Sequence, residues 1–133
     1  MTRAPFTHDV RVYYEDTDAA GVVYYANYLR FMERARTEWL AARGHLVAEL
    51  ADSAAIVFVV THADVAFRQP ARLGDLLAVG VDVVEQGRAR WMVRQPTRRG
   101  GDTVVDATIT LAAVDRNTLR PRRIPAGLLE PAS

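Results

Sequence analysis

Hydrophobic and polar positions alternate over residues 9–15, where Val10, Val12 and Tyr14 are interleaved with Asp9, Arg11, Tyr13 and Glu15. That period of two predicts a β-strand with one apolar face. Over residues 26–43 the spacing changes: Tyr28, Met32, Ala35 and Trp39 recur at steps of three and four, with Leu29, Arg36 and Leu40 beside them. This predicts an amphipathic helix of about eighteen residues that stops at Gly44 and carries Arg34 and Glu38 on its outer face. Residues 41–53 read either as an extension of that helix or as a second short one.

Four more period-two segments follow. Ala63, Val65 and Phe67 alternate with His62, Asp64 and Arg68; Leu77, Val79, Val81 and Val83 alternate with Gly80 and Asp82. Ala89, Trp91 and Val93 alternate with Arg88, Arg90 and Arg94; Val105, Ala107, Ile109, Leu111 and Ala113 alternate with Asp106, Thr108 and Thr110. Turn signals at residues 73–75, 86–87 and 99–102 separate them. Residues 116–125, with Pro121 and Pro125, read as an edge extension and exit. The order is one strand, one long helix and a meander of four strands. It predicts an α+β fold in which a curved five-stranded antiparallel sheet wraps around one helix. A parallel sheet would need helical crossovers that the pattern lacks.

Composition narrows the chemistry. With 133 residues, half of them hydrophobic and a quarter charged, the chain fits a single globular domain over residues 1–133 and not a disordered or fibrous protein. It contains no lysine, so all seventeen basic residues are arginine, and it contains no cysteine. Lysine-dependent phosphate loops, Schiff-base chemistry, thiol nucleophiles and cysteine-based metal sites are thereby excluded. Neither serine, Ser53 or Ser133, lies in a G-x-S-x-G turn, and His8, His45 and His62 match no common metal spacing. Any chemistry must use carboxylates, backbone amides or water. The formal charge of +1 gives no basis for nucleic-acid binding. No signal-peptide pattern opens the chain, and the apolar runs at 54–60 and 76–81 fall well below the roughly twenty residues that span a bilayer. The expectation is a soluble, cytoplasmic protein without membrane insertion.

The candidate chemistry lies between the first strand and the helix. Glu15, Asp16 and Asp18 precede Gly21 and the helix start. Free N–H groups and the dipole at a helix N-terminus favour negative charge, so an oxyanion formed from a substrate carbonyl would be held there. Asp18 would stand close enough to activate water or to attack the carbonyl itself. On local chemistry alone, Asp16, Thr17 and Asp18 read equally as turn and capping residues.

The run R-V-x4-T-D-x2-G-V-V-Y-x-A-x-Y, from Arg11 to Tyr28, resembles the active-site signature of the 4-hydroxybenzoyl-CoA thioesterase family of hot-dog-fold hydrolases. Its continuation over residues 27–40 is most similar to the Tol-Pal-associated acyl-CoA thioesterase branch, and residues 67–75 carry a weaker likeness. The resemblance implies a hot-dog fold assembled as a homodimer or homotetramer that completes its sheet and its active sites across a two-fold axis. It also implies hydrolysis of an acyl-CoA substrate to a carboxylic acid and CoA, with no metal or organic cofactor. It places Asp18 on the catalytic aspartate, as base or nucleophile, and Tyr25 on the position whose backbone N–H polarises the thioester carbonyl. The branch favours histidine where Tyr25 stands; a backbone role survives that difference.

Arg88 matches a position that in some relatives holds the CoA phosphates, and Arg90 follows it on the same strand; the guanidinium fork suits phosphate oxygens, while a solvated basic strand face is the competing reading. Glu33 falls where a second hot-dog branch keeps a helix glutamate as acid-base group, although an ion pair with Arg30 or Arg36 suits it better. His62 reads as an interface or strand-face residue, and Trp39 and Trp91 as core. Two other functions compete with acyl-CoA hydrolysis: hydrolysis of acyl groups borne by acyl-carrier protein, and acyl-CoA binding without turnover.

Overall fold

The computed structural model describes residues 5–129. Strand β1 (Phe6–Arg11) leads through a short 3-10 turn (Tyr14–Asp16) to helix α1 (Asn27–Ala42) and helix α2 (Val47–Ser53). Strands β2 (Ile56–Phe67), β3 (Leu76–Gln86), β4 (Arg90–Arg94), β5 (Thr97–Arg99) and β6 (Asp102–Asp115) follow. They form a six-stranded antiparallel sheet in the order β1-β3-β4-β6-β2, with β5 paired to β3 and β6 beside this path. No helix among the described residues is long and apolar enough to cross a membrane.

The helical stripe is broader than the spacing puts it: Phe31, outside the expected set, is fully buried, while Trp39 is only partly buried and Leu29 is exposed. Tyr28, Phe31, Met32, Ala35 and Leu40 are buried, α1 packs against β1 and β3, and the sheet answers with Leu77, Val79, Trp91, Val93, Ile109 and Leu111. Gly44 has φ +87°, a conformation that suits glycine, and it closes the helix. Its N–H donates to Ala41 O while the His45 N–H reaches Leu40 O, the paired bonds of a Schellman end. Trp91 is buried, stacked at 6.1 Å on the partly buried Trp39 and edge-on to Phe58 at 5.4 Å, so both tryptophans are core residues.

The expectation of five strands, one helix and a four-strand meander needs correction. Residues 47–53 form a separate helix, α2, because the Schellman end turns the chain away from the axis of α1. The sixth strand, β5, arises because Pro96 has no N–H to donate; the ladder breaks after Arg94 and resumes at Thr97 against Val79. Strand β2 starts at Ile56, six residues before the alternation begins to read cleanly. A register shift between Val60 and His62 leaves Thr61 as an extra residue, so the set that shares the sheet face of Leu111, Ile109 and Val105 jumps from Ile56, Phe58 and Val60 to Ala63, Val65 and Phe67. Finally, β2 pairs with β6 and not with β3, so only β3, β4 and β6 run as sequential neighbours. This makes β2 a sheet edge along its twelve residues, with Val60 at 51% and Phe67 at 53% exposure.

One polar contact crosses the core between α1 and the sheet. Arg36 lies on the buried stripe, not beside it, and its Nη1 donates to Gln95 Oε1 at 2.9 Å. Gln95 is fully buried, and its Nε2 donates to Met32 O at 2.9 Å and Gly80 O at 3.3 Å. One amide therefore ties the helix backbone and its arginine to β3. Burial lowers the proton affinity of the Arg36 guanidinium, and the charge of Glu33, one turn earlier, partly offsets this. Gln95→Leu keeps the volume but strands the guanidinium and removes two further hydrogen bonds. It should lower unfolding stability by about 3 kcal/mol in urea titration at fixed protein concentration. Arg94→Ala, which loses only the exposed pair with Asp106 at 3.3 Å, should cost less than about 1 kcal/mol.

Candidate active site

The chain leaves β1 at one end of β3, where the Val12 N–H donates to Asp75 O and the Gly74 N–H to Val12 O. Beyond the 3-10 turn, residues 17–23 fold into a small hairpin. Thr17 bridges Val23, the Asp18 N–H donates to Val22 O at 2.9 Å, and the Gly21 N–H returns to Asp18 O at 2.9 Å. Gly21 has φ +79°, which explains a glycine at this tip. A third segment lines the hairpin, since Val22 bridges Arg72 and the Val23 N–H donates to Ala71 O at 2.8 Å. Asp18 is thus held by a braced backbone. Its Oδ1 accepts the Ala20 N–H at 2.9 Å, while no partner among the described residues engages Oδ2, and the residue is exposed.

The start of α1 follows directly. The Tyr24 N–H donates to Asp16 O at 2.9 Å, and the Asn27 N–H donates to Tyr24 O at 2.8 Å. Between these anchors, the N–H groups of Tyr25 and Ala26 donate to no acceptor among the described residues, and no side chain caps the helix at Ala26. The acidic run caps the 3-10 turn and not α1: Asp16 accepts the Tyr13 N–H at the start of that turn and also the Asn27 side chain, Thr17 donates to Tyr14 O, and Asp18 accepts the Ala20 N–H. The turn reading holds, and it leaves the helix end open for an incoming oxygen.

Aromatic rings surround this end. Tyr24 and Tyr25 meet at 4.9 Å between ring centres, Tyr25 stands edge-on to Phe67 of β2 at 6.2 Å, and Tyr28 lies 5.9 Å from Phe67. The Tyr24 hydroxyl is held above the usual phenol range, chiefly by the Tyr25 hydroxyl beside it and also by the Asp18 charge. Tyr28 lies beneath, its hydroxyl accepting the Ala71 N–H at 3.3 Å, with its pKa raised by burial.

Asp18 and the Tyr25 N–H are therefore brought to one end of the chain's fold. Arg88 and Arg90 are not. The Arg11 end of β1 pairs with Leu76, whereas Arg88 lies in the turn beyond Gln86 and Arg90 opens β4. The intervening strand β3 has eleven residues, about 35 Å at the usual rise. Glu33 sits on α1 past the open donors, is exposed, and forms no ion pair with Arg30 or Arg36 among the described residues. His62 is an exposed strand-face residue at the bulge of β2. The link between Asp16 and Asn27 has no local sequence signal, because an aspartate in a turn and an asparagine at a helix start are each common apart.

Comparison with known proteins agrees with this architecture. Residues 12–131 match the model of the thioesterase-like superfamily. The acyl-CoA thioesterase YbgC of Haemophilus influenzae is 40% identical over 120 residues, covering 90% of this chain and 88% of its own. The acyl-CoA thioester hydrolase YbgC of Escherichia coli O6:H1 is 35% identical over 97% of this chain and 96% of its own. The crystal structure of a probable thioesterase from Bartonella henselae superposes with a TM-score of 0.88 at 34% identity, over 92% of this chain and 100% of that one. The likeness carried by residues 11–40 thus extends along almost the whole chain, which belongs to the thioesterase-like superfamily, a family of hot-dog-fold enzymes.

Proposed function

We propose that the protein is an acyl-CoA thioesterase in which Asp18 drives hydrolysis and the N-terminus of α1 polarises the thioester carbonyl. The observation that carries the reading is the pair of unbonded N–H groups at Tyr25 and Ala26, at the helix end that follows the Asp18 hairpin. The carbonyl oxygen rests on these donors, and they bind it more strongly as negative charge develops on it. Acting as general base, Asp18 takes a proton from water as the water oxygen bonds to the carbonyl carbon. Collapse of the tetrahedral intermediate breaks the C–S bond, CoA leaves as thiol with the transferred proton, and the acyl group leaves as the acid. Direct attack by Asp18 would give a mixed anhydride that water then opens, with the same products. The acyl group lies against the exposed rings of Tyr25 and Phe67.

The long open edge of β2, with Val59, Val60 and Phe67 exposed, suits pairing with the same strand of a second copy. In such an antiparallel pair the beginning of the second β2 lies beside Phe67. Arg90 of that copy, paired with its Ala112, which itself pairs with Val59, then comes within about 15 Å of Phe67 by strand spacing. Arg88 and Arg90 therefore serve the phosphates of a substrate bound at the other subunit's Asp18, which reconciles their placement with the role the resemblance gives them.

Asp18→Asn should reduce kcat for an acyl-CoA by roughly 10²–10⁴ with little change in KM, whereas Glu33→Gln should cost less than about fivefold. Thiol-release kinetics on both variants, with circular dichroism to verify folding, checks this; an active Asp18→Asn beside an inactive Glu33→Gln would transfer the chemistry to the helix. Light scattering should give at least twice the 14.8 kDa of one chain. Arg88→Ala should raise KM for acyl-CoA about tenfold or more yet leave hydrolysis of an acyl-pantetheine ester, which lacks the phosphates, nearly unchanged.

A further inference from the structure

We infer that Asp16 and Asn27 form a positioning clamp for the reaction, holding the Asp18 hairpin and the open donors of α1 at a fixed separation. The inference rests on the thioesterase reading and assigns to Asp16 a task apart from that of Asp18. Asp16 is 7% exposed, and no arginine or histidine pairs with it among the described residues. Its carboxylate instead takes two N–H donors, Tyr13 N at 2.8 Å on Oδ2 and Asn27 Nδ2 at 2.7 Å on Oδ1. Its own carbonyl accepts the Tyr24 N–H at 2.9 Å. One residue therefore grips the entry to the 3-10 turn, the return strand of the hairpin and the first residue of α1. A buried carboxylate without a cation is costly unless its oxygens are well bonded, so this arrangement resists loosening.

The geometry gives the clamp a specific object. Tyr25 and Ala26 are strung between Tyr24, fixed to the Asp16 carbonyl, and Asn27, fixed to the Asp16 carboxylate. Asp18 lies two residues further along from the same Asp16. Among the described residues, the Asp16–Asn27 bond is the one side-chain hydrogen bond that joins residues 13–24 to α1. Loss of that bond would let the hairpin and the helix end drift relative to each other. The substrate could still bind, but its carbonyl would sit on the donors with Asp18 misplaced. Such a displacement lowers kcat and leaves KM nearly alone.

The donor and acceptor roles in this pair can be exchanged, which supplies the test. In Asp16→Asn one side-chain oxygen remains for the Tyr13 N–H, and the link re-forms only when the Asn27 amide turns over to accept from the new amide, without the charge that strengthened it. In Asn27→Asp two carboxylates face each other. In the double variant, the amide now at position 16 accepts from the Tyr13 N–H and donates to the carboxylate now at position 27. The link is thereby restored with the charge moved to the first turn of α1, where it is favoured. Thiol release from acyl-CoA should show kcat reduced about tenfold to a hundredfold in Asn27→Asp and in Asn27→Ala, and by less in Asp16→Asn, with KM within about threefold. The double variant should recover kcat to within about fivefold of wild type. Asn27→Asp alone should regain activity as pH falls and one proton comes to be shared by the facing carboxylates. Thermal melts run alongside separate loss of fold from loss of alignment, and Asn27→Ala and the double variant keep the test decisive if Asp16→Asn does not fold. Folded Asn27→Ala with wild-type kcat, or a folded double variant no better than the worse single one, would overturn the clamp while wild-type activity upholds the thioesterase reading. A wild-type protein inert towards short aliphatic, long aliphatic and aromatic CoA esters alike would overturn that reading and the clamp with it.

Discussion

The site depends on where the N-terminus of α1 stands relative to the sheet, because its donors are backbone groups and cannot be re-aimed by a side-chain rotation. Apolar burial alone would let a helix slide or roll on a smooth sheet face. Gln95 removes that freedom: it binds Met32 O and Arg36 on one side and Gly80 O on the other, so the helix is pinned at its second and third turns to a central strand. A buried arginine with an amide for its partner stabilises the fold less than a well-packed apolar contact would. What it supplies is a single allowed docking position.

From that anchor the helix projects towards the hairpin of Asp18, and the remaining slack is taken up by short-range bonds. The hairpin is braced on Ala71 and Arg72, and Tyr28 closes the space beneath by accepting the Ala71 N–H. The framework of the candidate site is thus backbone held by a few side chains, those of Asp16, Asn27 and Tyr28, while the rings of Tyr24, Tyr25 and Phe67 are exposed. Electrostatic stabilisation of an oxyanion is strong only where water is kept away. Asp18 and Tyr25 are open to solvent, so under the proposed mechanism they need a covering layer, for which the substrate and, in the proposed dimer, a second β2 edge are the surfaces at hand.

Much of this was legible in the residue pattern where the determinants are local. The stripe of Tyr28, Met32, Ala35 and Trp39, the stop at Gly44 and the alternation of β3, β4 and β6 follow from periodicity and turn chemistry that act over a few residues. The turn before the helix could be placed because its glycine and acids sit in one short run, and the motif resemblance singled out Asp18 within it; that it closes into a hairpin could not. Features made by distant approach were not legible. The pairing of β2 with β6 joins residues dozens of positions apart, and the three-residue β5 exists only because Pro96 interrupts a ladder. Arg36 looked like a flank of the helix because its acceptor, Gln95, is 59 residues away. Asp16 looked like one acid among three for the same reason, its partner being the first residue of the next element.

The extra residue at Thr61 acts as a phase change in β2. Thr61 leans on Thr110 O at 3.4 Å, and the two halves of the strand keep inward faces that a strict period of two could not give them together. Pairing Thr61 regularly, with the bulge ironed out, would therefore cause no gap in the chain and no loss of apolar content. It would rotate one half of the strand through half a turn, either removing Phe58 from Trp91 or taking Phe67 away from Tyr25 and Tyr28. The aromatic wall beside the start of α1 is in this sense written in the bulge of the strand, and a change of register remote from the proposed reacting groups reaches them by parity alone.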